Sequence, residues 1–118
     1  MSLHDDIVKS AVEYCKKEGF TNIKATLPDS GFDYPDEYSG KIPDIEADKD
    51  GVKHLIEIET CDNISNTETI DQLRKLHKAC VDSGYRFIVE VPAHCPEEAK
   101  DILSKNGISC EFWRYRKV

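Results

Sequence analysis

The sequence has no apolar run approaching the ~20 residues that a membrane-spanning helix needs. Its opening, MSLHDDIVKS, is polar and acidic where a secretory signal would carry an apolar core. No membrane partner and no export are expected, and the expected setting is the cytoplasm. Basic residues are in short supply: 16 Lys and Arg stand against 23 Asp and Glu, a net charge of −7. Coating nucleic acid requires phosphate neutralisation, so this balance argues against a generic nucleic-acid coat protein. It leaves room for a site that holds cations, and for a weak or partner-assisted grip on nucleic acid. The five cysteines, Cys15, Cys61, Cys80, Cys95 and Cys110, include no Cys-x-x-Cys pair. Their number is odd, and Cys15, Cys80 and Cys110 fall on apolar positions of predicted elements. They read as reduced, small core residues. His94-Cys95 and the scattered histidines make no zinc pattern. Repeats, low-complexity tracts and linkers are missing too, and 118 residues suit one domain over 1–118.

What is present is an alternation of helical and strand patterns. Ile7, Val8, Ala11, Val12 and Cys15 form one stripe, which predicts a helix over 4–18 ended by Gly19. Residues 21–27 alternate as a strand. Residues 28–40, PDSGFDYPDEYSG, are rich in turn formers and acids, carry three aromatics, and read as a loop. Residues 42–48 and 52–59 predict two strands joined at Asp50-Gly51, a pair favoured in two-residue hairpin turns. Ile70, Leu73, Leu76, Cys80 and Val81 mark a helix over 66–83, with Gly84 just past its end. RFIVEV, 86–91, suits a buried strand. Pro96 opens another helix, Gly107 closes it, and 108–115 is a last strand. The order predicts a mixed α/β fold, in which an antiparallel meander precedes parallel crossover units.

The hairpin carries many acids. With Asp50-Gly51 as the turn, Lys49 faces Val52, Asp48 faces Lys53, Glu46 faces Leu55 and Asp44 faces Glu57. Glu59 lies diagonally beyond. Side chains alternate along a strand, so Asp44, Glu57 and Glu59 share one face. Directly opposed like charges are destabilising, so the pair calls for a proton, a basic side chain or a cation. Hard divalent ions take carboxylate and carbonyl oxygens. Asp44, Glu57 and the Ile58 carbonyl offer such donors, a set suited to Mg²⁺ or Mn²⁺. A solvated face, with the acids meeting Lys41, Lys53 or helix cations, accounts for the same spacing.

Ile42-Pro43-Asp44, then 12 residues, then Glu57-Ile58-Glu59 in an apolar strand, resembles the PD-(D/E)XK nuclease superfamily. That group includes restriction endonuclease-like and Holliday junction resolvase-like enzymes. The resemblance covers roughly residues 4–91 in the order αβββαβ. It implies a restriction endonuclease-like core with an added C-terminal helix and strand. It also implies that Asp44 and Glu57 ligate metal, and that Glu59 stands where the motif has lysine. The exchange removes the side chain that would orient or activate the attacking water. Glu13 on the first helix and Gln72 on the helix after the motif correspond to further catalytic positions. Leu76 stands where a Gln-x-x-x-Tyr pattern has tyrosine, and Glu13 equally suits a surface pair with a neighbouring lysine. Lys75 is a candidate for the missing cation. Arg74, Lys78, Arg114, Arg116 and Lys117 are candidates for local positive charge. The implied activity is Mg²⁺- or Mn²⁺-dependent phosphodiester hydrolysis, with DNA ahead of RNA as partner and a homodimer as the assembly. The alternative is a catalytically silent, nuclease-like interaction module that binds through loop 28–40.

Overall fold

The structure is a computed structural model and describes residues 3–115. Helix α1 (Leu3–Lys17) precedes three strands, β1 (Thr21–Ala25), β2 (Ile45–Lys49) and β3 (Val52–Ile58). A 3₁₀ turn (Asn63–Ser65) leads into α2 (Thr67–Ser83), followed by β4 (Arg86–Pro92), α3 (Pro96–Lys105) and β5 (Glu111–Tyr115). The strands form one sheet in the order β1-β2-β3-β4-β5. The first three run antiparallel, and β3–β4 and β4–β5 are parallel. This is the mixed α/β architecture that the element order predicts.

Local chemistry explains the main joints. Asp50 and Gly51 both adopt positive φ, 53° and 76°, as the primed hairpin turn requires. Asp48 pairs with Lys53, Glu46 with Leu55 and Ile45 with Ile56, the register expected from that turn. The register of β1 slips by one residue between Thr21 and Lys24, where Asn22 has φ 50°. The Asn66 side chain caps α2 by accepting the Glu68 N–H, and Gly84, at φ 73°, ends it in the left-handed region.

The sheet is covered on both faces. Ile7, Val8, Ala11 and Val12 of α1 pack on Ile45, Ala47, Ile56, Ile58 and Ile88. On the other face Leu73, Leu76 and Cys80 of α2, with Ala99 and Leu103 of α3, pack on Leu55, Phe87, Val89 and Val91. Among the described residues no helix is long and apolar enough to cross a membrane.

Loop 28–40 is tied down by its own aromatics. Phe32 packs against the α1-side core with Lys16 Nζ 5.1 Å from its ring centre. Tyr38 donates its hydroxyl to Glu46 Oε1 at 2.6 Å and meets Tyr85 edge-on. Of the three aromatics, Tyr34 stays exposed.

Candidate functional site

The acids of the hairpin divide into two groups. Glu46, 2% exposed, sits in a polar network of Tyr38, Lys24 (3.8 Å) and Lys53 (3.5 Å). Its charge is compensated there, as a buried carboxylate needs. Asp44 and Glu57 are buried as well, but they are held differently. The ladder between β2 and β3 stops at Ile45–Ile56. One step further, the Asp44 N–H donates to Glu57 Oε1 at 2.7 Å, and the Ile58 N–H donates to Asp44 Oδ2 at 2.9 Å. Two side-chain oxygens thus occupy the places of ladder acceptors, and the carboxylates are locked in position where the strands part. The Thr26 N–H donates to the Asp44 carbonyl at 2.9 Å, which holds the other side of the same residue.

This pair lies in a cleft of about 430 Å³. Glu59, Gln72, Lys41 and His4 also line it, together with Thr60, Thr69 and Asn63. The expected grouping of Asp44, Glu57, Ile58, Glu59 and Gln72 is therefore present. Glu13 stands apart: it is exposed and pairs with Lys16 at 3.6 Å one turn along α1. The side chain that α1 brings to the cleft is His4, whose Nε2 is 3.4 Å from Asp44 Oδ2. Lys75 is exposed and does not line the cleft. The cation beside the acids is Lys41, with Nζ 3.6 Å from Glu57 Oε2. Lys41 is one of the cations expected to meet these acids, while nothing in the sequence marks His4; the loop before β2 and the start of α1 bring them in. Arg74 is engaged by Asp71 and Asn106, and Lys78 by Asp82. Arg114 is exposed on β5. Arg116 and Lys117 lie outside the described residues.

The electrostatics follow from that packing. Burial, reinforced by the Asp44 charge, pushes Glu57 well above the usual carboxylate range, while Lys41 pulls the other way. Burial and Asp44 push Glu59 up to about 7, opposed by Lys41 and His4. The hydrogen bond to Asp44 raises His4 against the effect of its own burial. Three acids are thus held beside one lysine and one histidine.

Mg²⁺ is commonly held through one or two carboxylates together with substrate phosphate. The donors here fit that pattern: one oxygen of Asp44 and one of Glu57 accept no backbone N–H, and the Ile58 carbonyl lies between Glu57 and Glu59. The three carboxylates do not close into a cage. Among the described residues, the one set of three His, Cys, Asp or Glu ligand atoms lying within 4.8 Å of one another is Cys61, His94 and Cys95.

Those residues correct the expectation of five reduced cysteines. Cys61 and Cys95 form a disulfide with their Cα atoms 6.1 Å apart. Cys15 and Cys80 are free and buried as expected, and Cys110 is free and half-buried. Cys61 follows the end of β3 by three residues, and Cys95 follows the end of β4 by three. The parallel pairing of β3 with β4 sets Ile58 beside Glu90, so the segments that leave the two strands run out on the same side of the sheet and meet there, which a spacing of 34 residues in the chain does not reveal. No family model, no curated protein and no solved structure matches this chain.

Proposed function

We propose that the chain is a divalent-cation-dependent nuclease, hydrolysing phosphodiester bonds in the cleft that holds Asp44, Glu57 and Glu59. The observation that carries this reading is the buried Asp44–Glu57 pair, locked by two backbone N–H groups with Lys41 against it. Buried like charges are destabilising, and a bound cation turns the arrangement from a liability into a site. Asp44, Glu57 and the Ile58 carbonyl would hold Mg²⁺ or Mn²⁺. When bound, such an ion acidifies water and stabilises charge on phosphate oxygens.

The other residues have roles that follow from their chemistry. Lys41 supplies, from the loop before β2, the positive side chain that Glu59 does not. Glu59, pushed up to about 7, changes protonation near neutral pH, where a general base works best. It is the group to accept the proton of the attacking water. Gln72 and Thr69 offer neutral hydrogen-bonding groups to a substrate in the cleft. With a net charge of −7, the grip on a polyanion is local, and it weakens as salt rises. DNA stands ahead of RNA as substrate, in a cytoplasmic setting.

A catalytically silent module is favoured by one observation: Asp44 and Glu57 each already accept a backbone N–H, so the hairpin is complete without an ion. Incubation with Mn²⁺ and single- or double-stranded DNA or RNA separates the two readings. Cleavage is expected, with EDTA stopping it and Asp44→Ala and Glu57→Ala each reducing it about 100-fold or more, with the fold checked by circular dichroism. Cleavage that survives both substitutions, or none with any substrate, overturns the nuclease reading.

A further inference from the structure

We propose that Cys61, His94 and Cys95 form a zinc site that exists only when the Cys61–Cys95 disulfide is reduced. The site is separate from the acid cleft and does not depend on the nuclease reading.

Three observations carry it. The ligand atoms of the three residues already lie within 4.8 Å of one another. Cys61 Sγ and His94 Nε2 are 3.5 Å apart. In a tetrahedral zinc site, Zn–S of about 2.3 Å and Zn–N of about 2.0 Å give an S···N edge of about 3.5 Å. One edge of the coordination figure is therefore in place while the sulfurs are still bonded to each other. Finally, the ligands span a gradient of exposure: Cys95 is buried, Cys61 half-buried and His94 exposed. The ion has a route in, and the buried sulfur has a fixed seat at the start of α3.

The donor set selects the metal. Two thiolates and an imidazole suit zinc and are a poor match for Mg²⁺ or Mn²⁺, which prefer oxygen. Three protein ligands leave the fourth position to water. The redox step is balanced by a dithiol reductant. The Cys61–Cys95 bond breaks, the reductant closes its own S–S bond, and its two electrons and two protons leave two thiols on this chain. Zinc then displaces both thiol protons, while His94 binds through Nε2 and keeps its proton on Nδ1. A disulfide and a metal thiolate cannot share the same sulfurs, so the two states exclude each other.

The test uses the full chain, oxidised or reduced with a phosphine, loaded with zinc, desalted and assayed with a chromogenic chelator. Reduced protein is expected to retain one zinc per chain, and oxidised protein only the background level of the Cys61→Ser/Cys95→Ser variant. His94→Ala, at an exposed position, should fold normally. Losing a ligand should exceed the 10–100-fold effect of losing an outer-shell partner, so zinc affinity should fall by about 100-fold or more. Cobalt in place of zinc should give a thiolate-to-metal charge-transfer band in the reduced protein, which carboxylates cannot produce. Asp44→Asn should leave all of this unchanged, whatever the outcome of the nuclease assay. Reduced wild type that retains no more zinc than the double variant, or that gives cobalt no charge-transfer band, overturns the proposal.

Discussion

Glu90 shows most simply what one buried group does to this protein. It lies in β4 on the same sheet face as Ile88, under α1, and is 5% exposed. Among the described residues it has no ion-pair or hydrogen-bond partner for its side chain. Burial alone pushes it from 4.5 up to about 7. The folded state therefore keeps a proton that the unfolded state has released. Its contribution to stability is full below pH 4.5 and is lost as pH rises to about 7. A shift of that size corresponds to roughly 3 kcal/mol. Glu90→Gln should match wild type near pH 4 and exceed it by roughly 1–3 kcal/mol at pH 8. Urea melts of both proteins across that range check it, and parallel pH curves would show that Glu90 is not the titrating group. Glu57 and Glu59 are raised in the same direction, so wild-type stability itself should decline toward alkaline pH. Lys41 acts against that trend. With its charge removed in Lys41→Met, Glu57 and Glu59 climb further, and the proposed nuclease activity at pH 7 should drop about tenfold or more, with its pH profile displaced upward. Lys41→Arg should restore part of it. An unchanged pH profile in Lys41→Met would remove Lys41 from the site.

The hairpin of β2 and β3 is the element on which the cleft depends. Its turn sets the register, and the register sets Asp44 opposite Glu57. A slip of one residue would move every acid to the other face of the sheet. Gly51 sits at φ 76° with nothing within 4 Å of where a Cβ would be. Substitution there is resisted by the backbone alone. Gly51→Ala should destabilise by about 1–2 kcal/mol, the penalty for a left-handed residue with a Cβ, and Gly51→Asn by less, because Asn tolerates that region. Equilibrium unfolding of the two variants gives the comparison; equal losses would mean that packing, not φ, decides this position.

At the scale of the whole molecule the disulfide is a covalent tie added to the sheet. It closes a loop of 34 residues between the ends of β3 and β4. By the chain-entropy argument, such a loop contributes about 3–4 kcal/mol. Reduction without metal should lower Tm by roughly 10–20 °C for a chain of this size. Calorimetry with and without a phosphine reductant measures it. A melt indifferent to reductant would show that the two ends of the loop are held by the sheet alone.

The order of helices and strands, the hairpin register and the two core stripes were legible in the sequence, except that Val81, expected on the stripe of α2, is 66% exposed. They depend on periods of two and 3.6 residues, on Asp50-Gly51, and on Gly84 and Gly107, all of which act over a few positions. The grouping of Asp44, Glu57 and Glu59 was legible for the same reason, since one hairpin holds them. Glu46 and Asp44 fall on the same face of one strand in the sequence; the return of Tyr38 from loop 28–40 and the approach of Lys24 and Lys53 enclose Glu46, while Asp44 lines the cleft. Tertiary structure likewise set His4 in the cleft in place of Glu13 and, of the cations the sequence offered, placed Lys41 and not Lys75 beside the acids, because cleft membership depends on where a loop and a helix start come to rest. It also joined Cys61 to Cys95 and set His94 beside them, since parallel strands align positions whose separation in the chain carries no local signal. What repeats along the chain could be read from the chain; what meets across the sheet could not.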